Sequence, residues 1–258
     1  MSKYMIEFMV FFFGMCVGSF MNVCIFRLPD PEKSIVRPRS MCPKCHTMIP
    51  FYDNIPVFSY ILLQRKCRFC KTSIPFRYPM VELLGGLFAF CVFLRFGLTL
   101  TGLIYYLFIV ALLVITFIDM DHRIIPDRIT LPGIPVFFIA ALIVPTVTLK
   151  DSLLGILTGG GILFAIGWTY YLITKKEGMG GGDVKLLAMI GAFIGWQGVF
   201  FTIFVASAVG TFTGLIAMSI QRKGMKLAIP FGPFLSIGAI LYIFFGPRLI
   251  YWYLNMIR

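Results

Sequence analysis

Long apolar runs separated by short polar connections dominate this chain. Each run is continuously apolar, whereas a lipid-facing barrel strand would alternate apolar and polar residues. About 20 apolar residues in a helix cross the hydrocarbon core of a bilayer. The pattern predicts an all-α, polytopic membrane bundle. We place its eight predicted spans at roughly residues 4–26, 81–97, 99–118, 131–149, 152–174, 184–197, 199–220 and 230–254.

Composition agrees with this pattern, because 59% of the 258 residues are hydrophobic and only 13% are charged. Soluble domains are closer to about half apolar and a quarter charged. The sixth span is short and flanked by glycines, as is typical of a broken or re-entrant helix. The first span lacks a clear small-residue cleavage site and runs into Arg27, so we expect a retained anchor and no cleaved signal peptide.

Basic residues lie mostly on one side of the predicted bundle. Of the 23 lysines and arginines, 18 fall in residues 27–79 or in and beside the connections after the third, fifth and seventh spans. The positive-inside rule places these segments, including 221–229, in the cytoplasm, with both termini outside. The net charge of +12 then reflects topology and contact with anionic membrane lipids, and it does not indicate a nucleic-acid partner.

Four cysteines mark the long loop between the first two spans. Cys42 and Cys45 form one C-x-x-C pair, and Cys67 and Cys70 form a second, with 21 residues between the pairs. Two such pairs supply the four thiolates of a tetrahedral structural zinc site. The alternative is two disulfides, but a cytoplasmic loop keeps its thiols reduced. The sequence predicts zinc.

Two aspartates lie at the edges of separate apolar spans. Asp119 belongs to a segment that ends in Ile-Pro-Asp, and Asp183 directly follows Gly180-Gly181-Gly182. Ionisable residues at membrane depth mark function by default. Two carboxyl groups that share a proton form an aspartic protease centre. For Asp183 alone the alternative is a helix cap, and Asp127 is interpreted as a turn or cap residue.

The sequence lacks the residues that other common catalytic mechanisms require. A Ser-His-Asp triad needs a histidine near a serine. The chain has two histidines, and no serine near His122 lies in a glycine-flanked nucleophile elbow. The H-E-x-x-H, Walker and dinucleotide motifs are absent from the sequence. A proton-coupled transporter is the alternative from another class. It predicts inverted repeats and carboxylates near mid-membrane, whereas both aspartates fall near one face and the halves show no repeat.

Five segments follow one another in a recognisable order. They are 18–29 (GSFMNVCIFRLP), the cysteine pairs around 51–60, 77–84 (RYPMVELL), 117–127 (FIDMDHRIIPD) and 180–185 (GGGDVK). Together they resemble the bacterial type IV prepilin peptidases, over nearly the whole chain. The resemblance implies an inner-membrane enzyme that faces the cytoplasm. It implies removal of a short basic leader from type IV prepilins or pseudopilins and methylation of the new N-terminal residue with S-adenosylmethionine.

The resemblance also assigns roles to residues. Asp119 and Asp183 become the catalytic pair, and Asp119 is chosen over Asp121 because its distance from Pro126 matches the family spacing. Asp121, Lys185, Gly181 and Gly182 lie beside this pair in the sequence and are candidates for supporting or substrate-contacting roles.

The same resemblance divides the chain in two. Residues 1–98 become the methyltransferase-associated region and residues 99–258 the peptidase domain. Asn22 and Glu82 are candidates for cofactor contact, and interhelical hydrogen bonding is their alternative. The sequence shows no glycine-rich loop for S-adenosylmethionine, so a leader peptidase without methyl transfer is the second hypothesis. The oligomeric state is not indicated.

Overall fold

The computed structural model describes residues 3–145, 147–176, 180–221 and 230–257, and its regular elements there are helices. The predicted all-α class is confirmed. A 3-10 turn at Phe51–Asn54 and two isolated β-bridges shape the cysteine loop. The α-helices are α1 (Lys3–Arg27), α2 (Phe58–Leu62), α3 (Arg77–Phe96), α4 (Leu100–His122), α5 (Asp127–Ala140), α6 (Leu149–Thr174), α7 (Gly181–Gln221) and α8 (Gly232–Ile257).

All eight predicted spans overlap helices, with α7 covering the sixth and seventh, but residues 141–148 of the fourth lie outside α5 and α6. In the described part of the chain, α1, α3, α4, α6 and α7 are the five helices long and apolar enough to cross a membrane. The apolar start of α8, Gly232–Gly246, is shorter than this criterion requires. Of the predicted basic connection at 221–229, residues 222–229 lie outside the described residues.

The fourth span differs from its prediction, because α5 begins at Asp127 and ends at Ala140. Pro126, with φ of −68°, precedes the helix in extended conformation. Asp127 then places an acidic side chain in the first turn, where the helix dipole favours it. The 14 residues of α5 span about 21 Å, less than the ~30 Å of a hydrocarbon core.

The division between the sixth and seventh spans lies at Gly195, three residues before the predicted gap at 198. Gly195 interrupts α7 with φ of 75° and ψ of 175°, which glycine adopts without a side-chain penalty. The start of α6 packs at this break: Trp196 Nε1 donates to Asp151 Oδ1 at 3.1 Å. Thr148 and Asp151 form a capping box at the same helix start. The break is therefore fixed by hydrogen bonds and by backbone conformation.

The chain divides into two units, Met1–Val114 and Ile115–Arg258. In the first unit, α1 and α3 approach closely at glycines: a Cβ added to Gly18 would lie 2.6 Å from Glu82 Cα. One added to Gly85 would lie 2.6 Å from the carbonyl oxygen of Gly14. The Tyr106 hydroxyl donates to the carbonyls of Gly14 and Gly85 at 3.4 and 3.2 Å. Small residues thus set the helix spacing.

In the second unit, α7 packs against α5, α6 and α8. The backbones of α6 and α7 meet where a Cβ added to Gly155 would collide with the carbonyl oxygen of Gly191, and the reverse is also true. A Cβ added to Gly159 would lie 2.5 Å from the carbonyl oxygen of Leu187. The first half of α7, which carries Asp183, is therefore held directly against the backbone of α6.

We predict opposite effects for two alanine substitutions in α6. Gly155→Ala forces α6 away from α7 and should destabilise the protein by about 1–3 kcal/mol. Gly161→Ala is the matched control, because a Cβ there meets nothing within 4 Å, and it should be neutral or stabilising by up to about 1 kcal/mol. Thermal unfolding in detergent measures both. Equal midpoints for the two variants would contradict a direct α6–α7 backbone contact at Gly155.

Candidate active site and metal centre

The two cysteine pairs occupy turns of the same construction. The N–H of Cys42 donates to the Thr47 carbonyl at 3.0 Å, and the N–H of Cys67 donates to the Thr72 carbonyl at 2.8 Å. One isolated β-bridge flanks each turn. The residue after each second cysteine has a positive φ, 55° at His46 and 58° at Lys71. The sequence thus builds the same thiol-presenting turn twice.

The four sulfurs of these turns converge. Sγ atoms of Cys42, Cys45, Cys67 and Cys70 all lie within 4.8 Å of one another, and those of Cys42 and Cys70 are 3.7 Å apart. A tetrahedral ion with metal–sulfur bonds of about 2.3 Å places its sulfurs about 3.8 Å apart. All seven cysteines are unbridged and lie in the described residues. The cluster can therefore bind a metal ion, and the geometry favours this over two disulfides.

Hydrogen bonds with threonines favour the thiolate form of two of these cysteines. Hydrogen bonds with the hydroxyl and N–H of Thr72 lower the pKa of the Cys70 thiol to about 6. The corresponding hydrogen bonds with Thr47 lower the pKa of Cys45. The thiolate is the form that binds metal. The C-x-x-C-x-T pattern of each turn therefore supplies both the ligands and part of their activation.

An ion pair fastens the second turn to the rest of the loop. Arg68 donates from Nε and Nη2 to the two carboxylate oxygens of Asp53 at 2.7 and 2.6 Å. Its guanidinium also lies over the Tyr52 ring, 5.4 Å from the centroid. Through these hydrogen bonds Arg68 holds the pKa of the Asp53 carboxyl below its usual range. Sequence reasoning missed this pair, because 15 residues separate its members.

We predict that metal content depends on the cluster and on no other thiol. Cys42→Ser and Cys70→Ser should each reduce bound metal from about one ion per chain to a small fraction, because each removes one of four ligands. Cys91→Ser changes a cysteine of α3 outside the cluster and should keep the metal. Elemental analysis of the three purified variants measures this. Full metal content in both cluster variants would show that the ion binds elsewhere.

Asp119 lies near the end of α4 and is 5% exposed. Its Oδ2 accepts a hydrogen bond from the N–H of Gly232 at 3.0 Å, at the start of α8. A helix N-terminus has unpaired N–H groups and favours an acceptor of negative charge. The carboxyl group is thus oriented by a helix that is distant in sequence.

Asp183 lies in the first turn of α7 and is half-buried. Among the described residues its Oδ1 is buried without a hydrogen-bond partner. The negative charge of Asp119 repels a negative charge on Asp183, so the two carboxyl groups interact electrostatically. Within the described part of the chain, one oxygen of this pair is therefore an acceptor without a donor.

Ile125 packs between the start of α7, which carries Asp183, and the start of α8, which hydrogen-bonds to Asp119. A Cβ added to Gly182 would lie 2.8 Å from Ile125 Cβ. One added to Gly232 would lie 2.7 Å from Asp119 Oδ2 and 3.2 Å from Ile125 Cδ1. By contrast, a Cβ added to Gly181 meets nothing within 4 Å. Gly182 and Gly232 therefore permit a close approach that a larger residue would block.

The remaining predicted residues around the aspartates are placed as follows. Lys185 Nζ lies 2.8 Å from both carboxylate oxygens of Asp127, so it joins the Ile-Pro-Asp segment to the glycine-aspartate segment. Asp121 is exposed, whereas Asp119 is buried, and this geometry supports the choice of Asp119.

Sequence reasoning missed the role of the Gly232 N–H as a hydrogen-bond donor to Asp119. The available signal was Gly232-Pro233, since proline is favoured just inside a helix start.

The two polar candidates of the first unit hydrogen-bond to backbone groups that are distant in sequence. Glu82 Oε2 accepts from the N–H of Val57 at 2.8 Å, and Asn22 Nδ2 donates to the Tyr78 carbonyl at 3.1 Å. The other side-chain atom of Asn22, Oδ1, is buried without a partner among the described residues.

Five helices of the described chain are long and apolar enough to cross a membrane, and four of its cysteines can hold a metal ion. These features are those of a multi-pass membrane protein. Residues 12–96 match the model of the bacterial peptidase A24 N-terminal domain, and residues 106–215 match that of the type IV leader peptidase family. The chain belongs to the type IV leader peptidase family.

Relatives match over most of the chain. A prepilin leader peptidase/N-methyltransferase of Aeromonas hydrophila is 35% identical over 96% of this chain and 93% of its own length. The protein of that name from Pseudomonas aeruginosa is 37% identical over 94% of this chain and 91% of its own length. One from Myxococcus xanthus is 40% identical over 81% of this chain and 62% of its own length. No solved structure matches significantly.

Proposed function

We propose that the protein cleaves the short basic leader from type IV prepilins or pseudopilins and then methylates the new N-terminal residue with S-adenosylmethionine. The observation that supports the peptidase half is that the charge of Asp119 acts on Asp183, whose Oδ1 is buried without a partner among the described residues. The relatives that match over most of the chain carry both activities in their names.

Hydrolysis at this site proceeds by general acid–base chemistry. One carboxylate removes a proton from water as the water oxygen attacks the scissile carbonyl carbon. The other carboxyl group donates a hydrogen bond or a proton to the carbonyl oxygen, and the roles exchange when the tetrahedral intermediate collapses. In this proposal the Gly232 N–H orients Asp119, and Oδ1 of Asp183, which has no partner among the described residues, accepts from the water. No acyl-enzyme forms.

The site lies at the cytoplasmic face of the inner membrane. Asp119 is at the end of α4 and Asp183 at the start of α7, next to the basic segments that the positive-inside rule assigns to the cytoplasm. A substrate whose basic leader precedes an apolar helix presents the junction at this depth. Lipids surround the remaining helix faces.

The cysteine cluster holds a structural zinc ion in this proposal. Four thiolates leave no open coordination position, so the ion contributes folding energy to the loop and takes no part in hydrolysis. Residues 1–98 form the methyltransferase-associated region, and residues 99–258 form the peptidase domain.

The decisive experiment is mass spectrometry of a prepilin incubated with the purified protein and S-adenosylmethionine. The wild type should remove the leader and add one methyl group. Asp119→Asn and Asp183→Asn should each slow cleavage by about 100- to 10,000-fold, which is the contribution of one general acid–base group. Asp127→Asn, which removes the exposed pair with Lys185 and the favourable charge at the start of α5, should keep most of the activity.

Each outcome of this experiment has a distinct meaning. Cleavage that persists in both aspartate variants would disprove the peptidase mechanism. Leader loss without a methyl group in the wild type would leave a peptidase alone. No cleavage of an authentic prepilin by folded wild type would favour proton transport by the aspartates.

Adjacent glycines provide a second test. Gly182→Ala should reduce cleavage at least about tenfold, because the new Cβ displaces Ile125 and with it the alignment of Asp183. Gly181→Ala places its Cβ in open space and should cleave within about twofold of wild type. Initial rates of leader removal measure both variants. Equal rates would mean that the Ile125 contact does not set the position of the carboxyl group.

A further inference from the structure

A cavity of about 410 Å³ lies in the first unit, whereas both aspartates belong to the second. One face of α1 forms its first wall with Cys16, Ser19, Val23 and Arg27, which are three or four residues apart. The opposite wall comes from the cysteine loop and includes Ser40, Asn54 and Pro56. The volume falls within the range of about 300–1,000 Å³ found for small-molecule sites.

A buried cation lies in the wall of this cavity. Arg27 is 8% exposed, and its guanidinium donates to the carbonyls of Ser34, Ile35 and Pro38 at 2.9, 3.2 and 2.7 Å. No carboxylate pairs with it among the residues that the structure describes. A buried charge is costly unless it is paired. The cavity therefore offers an unneutralised cation to an anionic ligand.

A carboxylate lies behind another part of the same wall. Glu82 hydrogen-bonds to Ser19 and to the N–H of Val57, and its charge acts on Cys16. Ser19 and Arg27 are eight residues apart on α1, or about 12 Å along the helix axis. The cavity thus has separated positive and negative regions, with polar Ser40 and Asn54 across from α1.

We infer that this cavity binds S-adenosylmethionine, with the α-carboxylate of the ligand at Arg27 and its sulfonium on the Glu82 side. This inference rests on the proposed methyl transfer. The ligand is a zwitterion with an additional cation and several hydrogen-bonding groups, which matches the charges and hydroxyls of the walls. In the transfer, the lone pair of the new N-terminal amine bonds to the methyl carbon, the carbon–sulfur electron pair stays on sulfur, and water takes the amine proton.

The first test is direct binding of radiolabelled S-adenosylmethionine and of S-adenosylhomocysteine to the full-length, metal-loaded protein in detergent. Val23→Phe fills the cavity without removing a polar group and should weaken both ligands at least about tenfold. Val17→Phe makes the same change on α1 at a residue outside the lining and should stay within about twofold. Metal content and thermal midpoint report the fold of both variants.

Charge-specific binding gives the second test. Glu82→Gln should weaken the sulfonium ligand at least about tenfold more than S-adenosylhomocysteine, whose sulfur is neutral. Arg27→Gln should abolish the preference for S-adenosylhomocysteine over 5′-methylthioadenosine, which lacks the carboxylate. Arg27 also donates hydrogen bonds to three loop carbonyls, so its replacement can unfold the loop. In that case the Val23 and Glu82 variants alone decide the outcome.

The outcomes separate this inference from the proposed function. If the wild type binds and methylates but Val23→Phe keeps wild-type affinity, the site assignment is wrong and the proposed function stands. If Val23→Phe instead loses binding of phosphatidylglycerol in mixed micelles and keeps the adenosyl ligands, the cavity is a lipid site. A wild type that neither binds nor methylates overturns both the inference and the methyl-transfer half of the proposed function.

Discussion

Close backbone approach at glycine is the constraint on which the carboxylate site depends. Gly155 and Gly191 bring α6 and α7 together, Gly182 admits Ile125, and Gly232 allows the start of α8 to reach Asp119. Apolar burial gives little preference for one helix arrangement over another inside a bilayer, so van der Waals fit and hydrogen bonds carry the specificity. A missing side chain at a few positions therefore determines where two carboxyl groups meet.

The polar groups of the second unit fall into two kinds. Asp151 is fully engaged by Trp196 and the Thr148 cap, and Asp127 is paired with Lys185. Asp183 differs, since it lies in the field of Asp119 and one of its oxygens has no partner among the described residues. A buried acceptor left unpaired costs about 1–3 kcal/mol. Such a cost is typical of a group kept available for chemistry.

Much of this arrangement follows from local sequence. Apolar runs gave the helices, and C-x-x-C spacing gave the sulfur cluster, because both patterns act over a few residues. The start of α5 at Asp127 and the break at Gly195 were missed by a few residues, since hydropathy does not register a proline or glycine conformation. The hydrogen bond from the Gly232 N–H to Asp119 joins residues 113 apart, and the ion pair between Lys185 and Asp127 joins residues 58 apart. Such contacts depend on tertiary packing, which no periodicity in one sequence reports.

The shortness of α5 affects the surrounding bilayer. Together with the first part of α7, which packs beside it and ends at the Gly195 break, it forms a patch only about 21 Å tall beside longer helices. Lipid there must thin, or water must enter to cover the difference. Both short helices begin next to the aspartates. A thinner or wetter bilayer at this patch would shorten the apolar distance between water and the two carboxyl groups.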